Sequence, residues 1–216
     1  MVNIFKKLFY KYIGRNTEYY NWYLINMLIH PNNVYETNKL NHSLTQQWHR
    51  RDHSITKIVV LLNIILSILF AITFVSPVYF IIYVLFDVGI PLIMGVIISV
   101  ILFYLCKGSF TTGDIFTVRY SYDIHINSYY CYLFVSHIII FIFSPIIFSP
   151  SFFSTLLSNI ITLISFIYYG YVTYLGYNCL PFIKISKKAL IIPSIILTFT
   201  FILFSLLNLN VALIFI

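Results

Sequence analysis

The sequence predicts an all-α polytopic membrane protein, and its composition and the length of its apolar segments both support this fold class. Of the 216 residues, 60% are hydrophobic and 9% are charged, whereas soluble domains carry about 25% charged residues. A soluble fold of this size cannot bury so much apolar surface, and disordered chains are polar and poor in aromatic residues. Three cysteines are too few for a disulfide scaffold.

Five apolar segments define a predicted transmembrane domain over residues 55–216. Each segment is continuous and close to, or longer than, the roughly 20 residues that cross a bilayer as a helix. Barrel strands would instead be about 10 residues long and alternate in polarity. We therefore predict a bundle of five transmembrane helices, at about 55–75, 78–106, 129–148, 152–177 and 189–207.

Residues 1–54 form a more polar N-terminal region that precedes the first apolar segment. Thr17 is a candidate N-cap for a helix that carries Trp22 and ends near His30, and Pro31 fits the first turn of a second helix. Tryptophan and tyrosine favour the membrane interface. We expect short cytosolic or interfacial helices that lie on the bilayer or pack on the bundle, the alternative being a segment that binds a partner's groove.

The positions of the basic residues predict the orientation of the chain. With five spans, residues 1–54 and the loops 107–128 and 178–188 share one side of the membrane. All 13 Lys and Arg residues lie in these segments or at their membrane border. The positive-inside rule makes this side cytosolic, which predicts a cytosolic N-terminus and a lumenal C-terminus. The net charge of +7 is thus a topology signal rather than a nucleic-acid signal, with contact to anionic membrane lipids as an additional role.

Asp87 is an acidic residue inside the second predicted span. An intramembrane carboxylate is a candidate functional group, and the following Pro91 and Gly95 predict a kink and close helix packing. Two interpretations stay open. The carboxyl group is either structural, bonded to Asn63, Asn159 or a Ser or Tyr hydroxyl, or it belongs to a proton or ion pathway.

A second polar group, Asp123, His125 and Asn127, precedes the third predicted span. In an extended segment the three side chains would share one face. Asp and His serve acid–base chemistry and metal binding, but no second set of ligands is evident. The alternatives are a hydrogen-bonded group that fixes the entry to the span, a metal ligand set, and a contact with a partner or lipid.

A third polar group lies at the border of the first span and comprises Trp48, Arg50 and Asp52. It is typical of an interfacial anchor, and it could equally serve as a docking point for a cytosolic partner. We find no nucleotide-binding loop, zinc signature or catalytic serine motif. The sequence therefore predicts no catalytic, cofactor-binding or metal-binding residue, and no enzyme activity.

Several short motifs occur in a fixed order along nearly the whole chain. They are Trp22, Leu28, Pro31, Val34 and Tyr35, then Gln47-Trp48 and Arg51-Asp52, then Phe86-Asp87, then Tyr122 to Asn127, and finally Tyr171 to Tyr177 with Leu180-Pro181-Phe182. In this order and spacing they resemble the Unc-fifty family of eukaryotic Golgi membrane proteins, over about residues 16–207. The chain departs from the family pattern at His53 and Ser54, where an Asp and a Pro are expected, and at Val118 and Arg119, where Trp-Gly is expected.

The resemblance implies a non-enzymatic, multi-pass protein of the early (cis) Golgi that acts in vesicular and protein transport. It implies two kinds of partner: large Arf guanine-nucleotide exchange factors recruited from the cytosol, and membrane proteins, such as assembled receptors, delivered to the surface. Some family members are described at the inner nuclear membrane with RNA binding, but this chain has no clustered basic surface to favour that role. The alternative function is a small transporter, scramblase or channel that uses Asp87. The oligomeric state is not predicted.

Overall fold

The computed structural model of the chain describes residues 17–45, 53–106, 117–181, 183 and 185–211. Within these ranges the regular structure is entirely helical, so the all-α prediction is confirmed. The helices are α1 (Thr17–Ile29), α2 (Pro31–Thr45), α3 (Ser54–Phe74), α4 (Phe80–Cys106), α5 (Val118–Ile147), α6 (Phe152–Asn178) and α7 (Lys188–Leu206).

Among the described residues, four helices, α3 to α6, are long and apolar enough to cross a membrane, and not the five that were predicted. The apolar part of α7, Leu190–Leu206, is shorter than the others. It rises about 26 Å at 1.5 Å per residue, whereas the hydrocarbon core is about 30 Å thick. Leu190 packs opposite Gly170, well inside α6, rather than opposite the end of that helix.

Helix α5 begins at Val118, well before the predicted start of the third span near residue 129. Thr117 precedes it in an extended conformation. The polar residues after Val118 are buried among the other helices instead of forming a loop. A π-helical turn, Phe134–Ile139, interrupts α5 near its middle. Such a turn changes the direction in which the following side chains point and often occurs at functional sites.

The outer surface of α4 is strongly apolar. Ile82, Leu85, Phe86 and Ile93 are all exposed on this helix. Water-soluble proteins rarely expose contiguous apolar patches of this extent. This surface is suited to contact with lipid chains, in agreement with the length and composition of α4.

The N-terminal hairpin, defined as α1 and α2, packs against the bundle, which is one of the two placements expected from the sequence. Met27 is fully buried there. Because Pro31 has no N–H, the carbonyl of Met27 lacks its helical donor, and the Cys131 thiol of α5 donates to it (3.4 Å). The Tyr168 hydroxyl of α6 donates to the neighbouring Leu28 carbonyl (2.6 Å). Two transmembrane candidates thus hold the tip of the hairpin.

The start of α2 is also held by Cys179, just beyond the end of α6. Its thiol donates to the Tyr35 carbonyl (3.2 Å). Burial raises the pKa of the Cys179 thiol, which keeps the thiol protonated and weakens it as a nucleophile. Cys179 therefore acts as a packed hydrogen-bond donor.

Replacing Tyr168 with phenylalanine is expected to loosen the hairpin without unfolding the bundle. The variant loses one partly buried hydroxyl donor, a change of about 1 kcal/mol, and leaves the Leu28 carbonyl without it. Amide hydrogen exchange of the full chain in detergent should accelerate in α1 and α2 and stay unchanged in α3. Tyr174→Phe on the same helix is the matched control, because its hydroxyl has no hydrogen bond to the described residues. Equal exchange in both variants would contradict the role of Tyr168.

Gly176 allows α6 to approach α5 and α2 closely. A Cβ atom at this position would lie 2.8 Å from the Ile124 side chain and 2.9 Å from the Tyr35 hydroxyl. The Tyr120 hydroxyl donates to the Gly176 carbonyl (3.0 Å). Small residues permit such close crossings between membrane helices. The Gly176 contact therefore sets the spacing between α5, α6 and the hairpin.

Asn159 of α6 fastens the end of α7. Its Nδ2 donates to the Ser205 hydroxyl and to the Leu209 carbonyl, and its Oδ1 accepts from the Val211 N–H, each at 3.0 Å. Asn208 ends α7 with a positive φ of 54°, a conformation that asparagine tolerates better than most residues. The end of α7 therefore lies beside the first turns of α6.

Candidate intramembrane site

A cavity of about 670 Å³ lies between α4, α5 and α6. This volume is within the range of about 300–1,000 Å³ typical of small-molecule sites. Most of its wall is aromatic or aliphatic. Besides four tyrosines, its polar lining residues are Asp87, His125, Ser136, His137 and Thr162. This mixture of an apolar wall and a few polar groups makes the cavity the leading candidate site among the described residues.

Asp87 is paired with His137, a partner that sequence reasoning did not assign to it. His137 Nε2 lies 3.4 Å from both carboxylate oxygens. The Ser67 hydroxyl donates to Asp87 Oδ2 (2.5 Å), which matches the expected hydroxyl partner. Ser136 Oγ lies 2.9 Å from the other ring nitrogen, Nδ1 of His137. Both Ser136 and His137 belong to the π-helical turn, whose irregular register no hydropathy pattern reveals.

Pro91 explains why Asn63 lies near Asp87. Proline has no N–H, so the carbonyl of Asp87, four residues earlier, has no helical donor. Asn63 Nδ2 approaches this carbonyl at 3.4 Å. Asn63 thus contacts the main chain of Asp87, whereas the other amide expected near it, Asn159, binds the end of α7.

His125 lies at the other end of the cavity. Its Nδ1 is 2.8 Å from the Tyr169 hydroxyl, and its ring stacks on Tyr129 with a centroid distance of 5.8 Å. The ring packs against Gly95, where a Cβ atom would overlap it. The absence of a Cβ atom at Gly95 therefore leaves room for the His125 ring between α4 and α6.

Asp123 and Asn127 do not share the position of His125. The segment is helical, and residues two apart on a helix point in different directions. The expectation of one extended face is therefore wrong. All three side chains are buried, but only His125 lines the cavity. Their burial favours a role in shaping the bundle over direct contact with a partner.

The third polar group, Trp48, Arg50 and Asp52, lies outside the described residues, so its role as an anchor or docking point stays a prediction.

In the part of the chain that the structure describes, no three His, Cys, Asp or Glu side chains are grouped to hold a metal ion. Two departures from the family pattern meet: Arg119, at the start of α5, contacts His53, which precedes α3.

A double-mutant cycle should measure the coupling between Asp87 and His137. We expect Asp87→Asn and His137→Gln each to lower the free energy of unfolding, and the double variant to lose less than the sum. The coupling should be about 0.5–3 kcal/mol, the range found for residues in direct contact. Chemical unfolding of the full chain in mixed micelles would provide the measurement. Additive effects would show that the two side chains do not interact.

In the part of the chain that the structure describes, the fold is all-helical, with four candidate spans and a polar pair that faces a cavity between them. The UNC-50 family model matches residues 4–216. The chain belongs to the UNC-50 family.

Individual relatives support the same assignment. An unc-50 homolog from Dictyostelium discoideum is 29% identical over 201 residues, covering 83% of this chain and 72% of the relative. An unc-50 homolog from Drosophila melanogaster is 28% identical over 206 residues, covering 88% and 74%. A GMH1 homolog from Schizosaccharomyces pombe is 26% identical over 188 residues, covering 80% and 77%. No solved structure matches the chain.

Proposed function

We propose that this chain is a non-enzymatic, multi-pass membrane protein of the early Golgi that acts in vesicular and protein transport. The observation that carries the proposal is the family match over residues 4–216. The resemblance described above associates that family with recruitment of large Arf exchange factors and with delivery of membrane proteins. The lipid-suited surface of α4 supports its placement in a membrane.

The proposed orientation has the N-terminal hairpin on the cytosolic side. The basic residues support it with four spans, because the chain returns to the side of the N-terminus at the end of α6, where Lys187 and Lys188 follow. For the end of the chain we propose the lumenal side, because α7, although its apolar part is shorter than the four spans, runs back along α6 and ends beside the first turns of that helix. Protease protection of tags at each terminus in sealed Golgi vesicles would test both placements.

The cytosolic platform that we propose includes the outward face of α2. Asn33, Glu36 and Lys39 are exposed on this face, while Val34 and Tyr35 bury the opposite face against the bundle. A polar face held on a rigid support is suited to binding a soluble partner. Asp123, His125 and Asn127 would act by shaping this support from within.

Recruitment can be tested in cells that lack their own family member. We expect the full chain to restore the membrane-bound fraction of a large Arf exchange factor. It should also restore surface delivery of an assembled receptor. Proximity labelling of the tagged chain should report early Golgi markers. Glu36→Arg should reduce recruitment at normal protein level. Glu18→Arg is the matched control, because Glu18 is also exposed but lies on α1.

The proposal fails if the chain lies in another compartment, or if exchange-factor recruitment is the same with and without it. If the full chain restores recruitment but Glu36→Arg and Glu18→Arg recruit the exchange factor equally well, the face of α2 is not the contact. The platform must then be sought elsewhere on the cytosolic side.

A transporter, scramblase or channel is the second candidate, favoured by the position of Asp87 on a cavity inside the bundle. Proteoliposomes would show ion or lipid flux that Asp87→Asn abolishes in a folded protein. Absence of flux in the unmodified chain would leave trafficking as the proposed function.

A further inference from the structure

The cavity opens through the lipid-suited surface of α4. Three of its lining residues, Phe86, Ile90 and Met94, are also 59%, 50% and 46% exposed. Their side chains therefore form both the wall of the cavity and the outer surface of the bundle. An occupant that enters here comes from the lipid phase, since these side chains offer water no polar partner.

The shape of the cavity suits an elongated molecule. Its lining on α4 runs from Tyr83 to Ile98, about 22 Å along the helix at 1.5 Å per residue. Phe166 of α6 and Tyr132 of α5 face this stretch from the other walls. Aromatic walls of this kind pack well against a rigid or extended hydrocarbon body.

The polar end of the cavity offers an acceptor. Asp87 is 18% and His137 14% exposed, so the pair is open to the cavity rather than sealed. A carboxylate has about four lone-pair positions, and Ser67 and His137 do not fill them all. A hydroxyl or amine could donate to the remaining positions, and a charge-assisted bond is stronger in this low-dielectric setting.

We propose that the cavity binds one membrane-derived amphiphile, with its apolar body along α4 and its hydrogen-bond-donating head on Asp87. The head is a hydroxyl, as in a sterol, or an amine, as in a sphingoid base. Both share the chemistry that the carboxylate recognises. This binding site is independent of the proposed trafficking function.

Photo-crosslinking of the full chain in lipid nanodiscs tests the proposal. The probes are a diazirine-bearing sterol, a diazirine-bearing sphingosine and a diazirine-bearing alkane without a polar head. We expect saturable labelling of α4 or α6 peptides by a head-bearing probe, removed by an excess of the same unlabelled compound. The head that labels identifies the ligand class, and the alkane should neither saturate nor compete.

Two matched tryptophan variants locate the site. Ile90→Trp narrows the mouth and should reduce saturable labelling by about tenfold. Ile93→Trp adds the same side chain on α4 at an exposed position that does not line the cavity, and should change labelling by less than about twofold. Thermal unfolding confirms that both variants are folded.

Asp87→Asn tests the head contact and should weaken labelling by the competent probe. The proposal is overturned if no head-bearing probe labels saturably, if the two tryptophan variants label alike, or if folded Asp87→Asn protein labels like the unmodified chain. If Asp87→Asn fails to fold, the tryptophan pair alone decides. Because binding is measured without cells, a negative result here leaves the trafficking proposal untouched.

Discussion

Replacing Gly176 with alanine is expected to lower the free energy of unfolding by about 1–3 kcal/mol, the usual effect of overpacking. The added methyl group would lie too close to Ile124 and the Tyr35 hydroxyl, so α6 must move away from α5 and the hairpin. This loss should outweigh the gain of about 1 kcal/mol that alanine brings to a helix interior. Denaturant unfolding of the purified full chain in mixed micelles would provide the measurement.

Gly89→Ala is the matched control for this prediction. A Cβ atom at Gly89 meets nothing within 4 Å, so the variant should be neutral or more stable than the unmodified chain. Opposite signs for the two substitutions would show that the effect comes from the crossing of α5 and α6. Equal destabilisation by both would refute it.

Replacing Asn159 with leucine is the second change with a large expected effect. The variant loses three hydrogen bonds and leaves the Leu209 carbonyl and the Val211 N–H without these partners. We expect the free energy of unfolding to fall by about 2–3 kcal/mol, since hydrogen bonds between membrane helices average about 0.6 kcal/mol and unsatisfied buried groups add to the loss. Hydrogen exchange should accelerate at the end of α7 before the rest of the bundle.

The control for Asn159→Leu is Thr73→Val, which also removes a polar side-chain group from an apolar helix. Among the described residues, the Thr73 hydroxyl bonds only within its own helix, to the Leu69 carbonyl, on an exposed face. Its loss should change stability by no more than about 0.5 kcal/mol. A similar effect from both variants would show that α7 is held by packing rather than by Asn159.

The sequence predicted the helical class because long apolar segments have few stable alternatives in a membrane. It misplaced the start of α5 because the residues after Val118 are polar, and hydropathy records composition rather than burial. Ser121 and Ser128 are polar yet fully enclosed by neighbouring helices. The sequence predicted α7 as a fifth span because its composition is that of a transmembrane helix. Its apolar part, however, is shorter than the other four.

The candidate site was only half predictable. Asp87 was evident because an acid interrupts an apolar segment, a local property of the chain. His137 was not assigned to Asp87, because the direction in which its side chain points depends on a π-helical turn that the residue pattern does not predict. The contact of His125 with Gly95 joins two segments that are distant in sequence, so only the folded chain reveals it.

The N-terminal hairpin has a consequence for biosynthesis. The Leu28 carbonyl finds its donor, Tyr168, 140 positions later in the chain. At about 5–20 residues per second, the ribosome needs roughly 7–28 s to make that interval. The hairpin therefore emerges well before α6, and it can dock fully only after α6 has been made. Nascent chains stalled before α6 should leave α1 and α2 open to protease, and released chains should protect them.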